Sequence, residues 1–267
     1  MPSRLVDLGW VVWASARMQA QDLRGNKMVW IPTIVQPAVL FVITFGALAP
    51  ARPRTADQVG TADSTSLMVG VLLMALWGAT IWTAGGVMRR ELLQGTLAAN
   101  FAGVRPPQLV LLGKCFGSAG GATLVIVATV VVAAMIQRAP IRLSHPVGVS
   151  IGLLVAVASA TTLGMLMSTL FVLTRHGHHL SSLMMYPVYL LGGLLIPTDV
   201  LPEVFRWPAA LVGLRWAGDF LVHAARGSID VVALTAAVGL TVAYLFLAGI
   251  AFSAVSAAAR RRGTLDL

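Results

Sequence analysis

Charge is what this sequence has least of. Only 11% of its 267 residues are Asp, Glu, Lys or Arg, while 57% are hydrophobic, and the mean hydropathy is +0.84. A water-soluble globule of this length needs far more polar surface, so the composition excludes one and leaves a polytopic membrane protein. Cysteine is nearly absent. The single Cys115 rules out an intrachain disulfide and a Cys-based zinc site, and reads as a small apolar residue at a helix start. Lysine is scarce as well, with Lys27 and Lys114 the only two among nineteen basic residues. A net charge of +9 invites a nucleic-acid reading, but the basic residues are scattered between apolar runs and not gathered on one domain. Membrane topology accounts for them better, and no nucleic-acid partner is expected.

Two further absences concern the source of energy. A phosphate-cradling loop requires Gly-x4-Gly-Lys-Ser/Thr, and the only Gly-Lys pair, Gly113-Lys114, is followed by Cys115. The chain is therefore not expected to hydrolyse nucleotide. Nor do the apolar runs carry Asp, Glu, Arg or Lys at their centres. A proton- or sodium-driven carrier usually needs an ionisable group or a broken helix near mid-membrane, so this absence argues against ion coupling. No paired carboxylates or Ser/His pair suggest hydrolytic or transferase chemistry, so no catalytic residue is assigned.

What is present is a series of long apolar runs, at about 29–49, 65–87, 109–136, 147–173, 180–197 and 231–258. Each is near or above the ~20 residues that cross hydrocarbon, the fifth being short. The expected fold is an all-α polytopic membrane protein with six transmembrane helices, a domain spanning 29–267 preceded by residues 1–28. In that first segment Leu5, Leu8, Val12, Ala16 and Leu23 fall near helical spacing, with Trp10 and Trp13 beside Arg4, Arg17 and Arg24. The pattern suits an interfacial helix in the headgroup layer. Its apolar core is short and follows Asp7, so it is read as retained and not as a cleaved signal.

Placing the amino terminus inside assigns 12 basic residues to cytoplasmic segments and 7 to external ones, and six of the ten acidic residues fall outside. This bias supports both termini in the cytoplasm. The external loop 50–64 is too short and polar for a domain of its own. Small-residue ladders, Gly113-x3-Gly117-x3-Gly121 and Ala156-x3-Ala160-x3-Gly164, predict close helix packing within the protomer, with dimer contact as the alternative. The loop Arg175-His-Gly-His-His179 places His176, His178 and His179 together, but no carboxylate or thiol is near, and a polar membrane-edge loop is preferred to a metal site. After the fifth run, Asp199 and Pro202 suit a helix start and Pro208 an interruption. Arg215, Asp219 and His223 then recur every four residues along an apolar stretch. A full crossing with those three on one face would be costly in lipid, so two short helices dipping in from outside are expected.

The most informative polar island runs from Met88 to Pro107. Leu93, Leu97 and Phe101 form an apolar stripe, Arg90, Gln94 and Ala98 line another face, and Pro106 and Pro107 stop the helix. Such a helix can lie on the membrane and offer its polar side to a soluble partner, or be a plain solvated connector. Its residues Arg90-Glu91, Gly95-Thr96-Leu97, Pro106-Pro107 and Gly113-Lys114 resemble the cytoplasmic loop of ABC-2 type ABC-transporter permeases. Gly192-Gly193, Pro197, Leu201-Pro202 and Leu214 to Gly227 resemble the end of the same family, where the fifth span leads into re-entrant helices. The chain departs from the family in having one glutamate where several members carry two acidic residues, and in lacking Asn-Pro near Val212-Gly213.

The resemblance implies the transmembrane subunit of a bacterial exporter of the type V, drug- or natural-product-exporting kind. It implies a coupling helix that docks on a separate nucleotide-binding ATPase subunit, carried here by Arg89, Arg90, Glu91, Gln94, Gly95, Thr96, Leu97 and Phe101. It implies re-entrant helices around Pro197, Pro202 and Asp219. ATP and Mg would sit on that partner, with no cofactor or metal in this chain. A second permease subunit, identical or not, would complete a path through the cytoplasmic membrane lined by Gln36, Phe41, Trp77, Met184, Tyr186 and Tyr189. An amphipathic drug, natural product or lipid is the expected cargo, with polysaccharide or glycolipid export the alternative. An ion-coupled carrier and a non-transport scaffold are the rivals from other classes.

Overall fold

In lipid every backbone donor and acceptor must find a partner within the chain, and a sequence of apolar runs meets that demand with helices. The computed structural model describes residues 2–25, 27–48, 62–95, 107–138, 143–173, 177–194 and 202–261, which form ten helices and no strand. They are α1 (Pro2–Arg24), α2 (Lys27–Leu48), α3 (Ala62–Thr83), α4 (Val87–Leu93) and α5 (Pro107–Ile136). Then come α6 (Pro146–Leu173), α7 (Gly177–Leu191), α8 (Glu203–Ala210), α9 (Gly213–Arg226) and α10 (Val231–Arg261).

Four stretches are long and apolar enough to cross a membrane: Thr65–Glu91, Pro107–Ile136, Pro146–Phe171 and Val231–Ala257. Two shorter apolar helices, Trp30–Phe45 within α2 and Ser181–Leu191 within α7, accompany them. The fifth apolar run does not continue as helix to 197. α7 stops at Leu191, where Gly192-Gly193 follows and Gly193 adopts a left-handed φ of 66° that only glycine takes cheaply. Pro197, Asp199 and most of the loop 50–64 lie outside the described residues.

α3 is the centre of the bundle. It packs on α2, α5, α6, α7 and α9, and 67% of its apolar window is buried, against 17% for α10 at the periphery. The sequence explains this: α3 has no polar face, and Val71, Leu73, Leu76, Trp77 and Ile81 are all fully buried. The ladder on α6 serves α3 directly, since a Cβ at Gly164 would touch Thr80 and Ala84, at 3.0 and 3.3 Å. The ladder on α5 packs within the protomer as well, with the amino-terminal helix as its partner. A Cβ at Gly113 would collide with the Val12 carbonyl, and one at Gly117 with the Ala16 carbonyl, so these glycines seat the amino-terminal helix α1. The step from Gly113 to Gly117 along α5 matches the step from Val12 to Ala16 along α1, and the third rung, Gly121, has open space beside it. Trp10 and Trp13 remain exposed at 69% and 65%.

Between α7 and α10 the chain forms the two short helices α8 and α9. Pro202 precedes α8 as its N-cap residue, and Pro208 lies inside α8 instead of interrupting it, the helix closing two residues later. The elbow at Leu211-Val212 is fixed by side chains. Trp216 Nε1 donates to the Ala210 carbonyl at 2.9 Å and the Tyr244 hydroxyl of α10 donates to the Leu211 carbonyl, satisfying two helix-end acceptors.

Candidate functional site

One candidate region is the junction of α3, α4 and α5. α3 ends at Thr83 and the chain turns through Ala84-Gly85-Gly86 into α4. The turn needs glycine at 85, where a Cβ would run into the Ile81 carbonyl and come within 3.2 Å of the Phe171 ring. Arg90 reaches back over it. Its Nη1 donates to the Trp82 carbonyl at 3.3 Å and its Nη2 to the Thr83 carbonyl, a cationic cap on the last turn of α3. Glu91 forms an ion pair with Lys114 of α5, the two side chains only 13% and 12% exposed. On the α6 side, the Met88 N–H donates to Ser168 Oγ at 3.2 Å. Buried Cys115 lies beneath, its thiol 3.8 Å from the Ala84 carbonyl. α4 is thereby fastened to all three neighbouring helices.

The amphipathic helix expected from Met88 to Phe101 is not continuous. α4 ends at Leu93, and Gly95 takes a left-handed φ of 69°, which ends a helix as a C-terminal glycine does. Gln94 and Gly95 are exposed and Arg89 is half-buried, while Thr96, Leu97 and Phe101 lie outside the described residues.

The second region is a cavity of about 1020 Å³, lined by α2, by Met74 of α3, by α7 and by Phe205 of α8. Its described lining is mostly apolar, the polar groups being the Tyr186 hydroxyl and one hydrogen-bonded chain. Gln36 Nε2 donates to the Tyr189 hydroxyl at 3.1 Å, and that hydroxyl donates to the Met74 carbonyl at 2.9 Å. Gly78 leaves room for this chain, because a Cβ there would strike the Gln36 amide and come within 2.9 Å of the Tyr189 hydroxyl.

Of the six residues expected along a substrate path, Gln36, Tyr186 and Tyr189 line the cavity. Phe41 and Trp77 do not: both are 0% exposed within the core, and Phe41 stacks on Phe45 at 4.2 Å between ring centroids. Met184 packs partly buried against the same core. Pro32, Val35 and Met185 line the cavity and were missed. Their signal was available, since 32, 35, 36 and 39 share one face of a helix. Among the described residues no group of His, Cys, Asp and Glu is placed to hold a metal ion. His176 and the side chains of His178 and His179 fall outside what is described.

Long apolar helices around a buried central one, with an apolar cavity along two shorter helices, define a multi-pass membrane protein of permease type. The family model for the ABC-2 type transporter matches residues 11–225, and the chain belongs to that family. It is an ABC-transporter permease. A comparison with curated proteins finds no match.

Proposed function

We propose that this permease is the membrane subunit of an ATP-driven exporter that carries an amphipathic drug, natural product or lipid outward across the cytoplasmic membrane. The observation that carries the reading is the mostly apolar cavity of about 1020 Å³ with its polar chain Gln36–Tyr189–Met74. Its size is at the upper end of small-molecule sites, roughly 300–1,000 Å³, and its lining suits an apolar body with few polar groups.

In this reading α2 and α7 complete six crossings, both termini are cytoplasmic, and α8 and α9 are re-entrant from outside. Two permease subunits, identical or not, work with two ATPase subunits that bind ATP and Mg. The ATPase docks on Arg89 of α4 and on the segment that follows this helix, with Gln94, Gly95, Thr96, Leu97 and Phe101 completing the contact. Arg90 and Glu91 act one step inward. Because they tie α4 to α3 and α5, a push on the loop reaches α3, and α3 carries Met74 in the cavity wall.

The test is reconstitution of the chain in sealed liposomes with and without an ATPase subunit that co-purifies with it. Export that requires both chains and ATP, and persists without ion gradients, supports the reading. Uphill accumulation by this chain alone, driven by a proton or sodium gradient, would replace it with a secondary carrier. No movement under either condition would leave a scaffold.

A further inference from the structure

A second cavity, of about 280 Å³, is lined by a different face of α3 and differs in chemistry from the first. Its polar wall is the charged face of α9: Arg215, Asp219, His223 and Arg226. Ser66 and Gly70 of α3 and the Gly192-Gly193 turn close it. Asp219 is the one carboxylate among the described lining residues, and its Oδ2 forms an ion pair with Arg215 Nε at 3.9 Å, a separation too long for a hydrogen bond. Arg215 Nε is buried with no hydrogen-bond partner, beneath a guanidinium held 5.1 Å from the centroid of the Trp216 ring. Arg226 Nη2 donates to Ser66 Oγ at 2.9 Å, which holds that cation over the cavity mouth. His223 is turned aside, its Nδ1 2.8 Å from the Asp219 carbonyl and 4.0 Å from Asp230 of the following turn. A buried guanidinium N–H left without a hydrogen-bond acceptor, as at Arg215 Nε, is costly.

Residues next to one another in the chain line the two cavities. Met74 and Leu191 line the apolar one, and their chain neighbours Leu73 and Gly192 line the polar one. We propose that the polar cavity receives the oxyanion head, of phosphate type, of an amphiphile whose apolar body occupies the larger cavity. This deepens the export reading, on which it rests, by giving the cargo a charge sign. Arg215 and Arg226 bind the head through charge-assisted hydrogen bonds, and Tyr186 and Met185 contact the tail.

The head group is tested on the full chain in maltoside micelles, without nucleotide, by equilibrium dialysis of decyl phosphate against protein-free micelles as blank. Decyltrimethylammonium and inorganic phosphate are the comparison probes. Decyl phosphate is expected to bind about tenfold more tightly than the trimethylammonium, and Arg215→Gln and Arg226→Gln to remove most of that preference, with Arg215→Lys retaining part of it. Inorganic phosphate competing as well as decyl phosphate would give a free-anion site and overturn the amphiphile. Equal binding of the two decyl probes, or a preference indifferent to both Gln variants, would overturn the oxyanion. The wild-type comparison needs no variant to fold, and Arg226 is exposed, so its variant tests the site even where Arg215→Gln fails. Since no ATPase is present, failure here leaves ATP-driven export standing, and failure of export leaves this binding result standing.

Discussion

Glu91 is held by Lys114 across the α4–α5 contact with both side chains almost out of solvent. A carboxylate so placed is paired inside the permease, and its charge steadies α4 against α5. Removing one member of such a pair leaves the other charge uncompensated, at a cost of roughly 3 kcal/mol. Glu91→Arg sets two cations face to face and is expected to lower the unfolding midpoint in micelles and to abolish ATP-driven export. The exchange Glu91→Lys with Lys114→Glu is expected to recover most of both. If Glu91→Arg spares stability and the exchange restores nothing, Glu91 acts on the partner directly.

Gly117 on α5 seats the Ala16 turn of α1, and Gly113 seats the Val12 turn. The approach is backbone to backbone, so no side-chain rotation relieves an added group. Gly117→Leu is therefore expected to displace α1 while leaving the long helices inserted. Hydrogen exchange reads this out: protection across residues 12–24 should fall by at least about tenfold in the variant, since an opening made 1.4 kcal/mol easier exchanges ten times faster. Unchanged protection of α1 would show that the contact does not hold it.

Gly95 closes α4 with a left-handed φ of 69°, and a Cβ there would meet nothing within 4 Å. Only the backbone conformation resists substitution. Gly95→Ala is expected to cost about 1–2 kcal/mol in the stability of this turn, and Gly95→Asn less, because asparagine tolerates the left-handed region. Gly95→Pro cannot adopt the conformation at all. It should uncouple ATP hydrolysis from export while the protein stays in the membrane. Export and ATPase rates measured side by side check this, and normal export by the proline variant would dismiss a role for the turn.

The apolar runs made the helices legible, since length and hydropathy alone set them, and Leu214 to Gly227 announced a separate amphipathic helix through Arg215, Asp219 and His223. What stayed hidden depends on partners distant in sequence. Nothing local tells that Lys114 answers Glu91, 23 residues earlier, or that the Gly113 and Gly117 ladder receives α1 and not another span. Trp77 and Phe41 lie in the core and not along the cavity for a related reason: an aromatic residue on a helix apolar all round can face a cavity or the core, and only the neighbours decide. The break at Gly95 was legible as a glycine, but the four-residue spacing of Leu93, Leu97 and Phe101 suggested one helix across it. Spacing records only which residues would share a face if the helix continued.

The chain from Gln36 through Tyr189 to the Met74 carbonyl spans three helices, α2, α7 and α3, and is a polar link in a mostly apolar cavity wall. Tyr189→Phe removes both the donor to Met74 and the acceptor for Gln36, and is expected to cost about 1–2 kcal/mol of stability. Gln36→Leu removes one end, and the double variant should cost less than the sum of the two, a non-additivity that identifies the direct bond. Gly78→Ala reaches the same link from outside it, because the new methyl occupies the space of the Gln36 amide. All three variants should alter which substrates are exported more than they alter ATPase activity, since the junction at Arg90 and Glu91 is untouched. Competition transport with a panel of amphiphiles gives the readout. A uniform loss of rate for every compound, with relative preferences preserved, would show that the link braces the helices and takes no part in choosing the cargo.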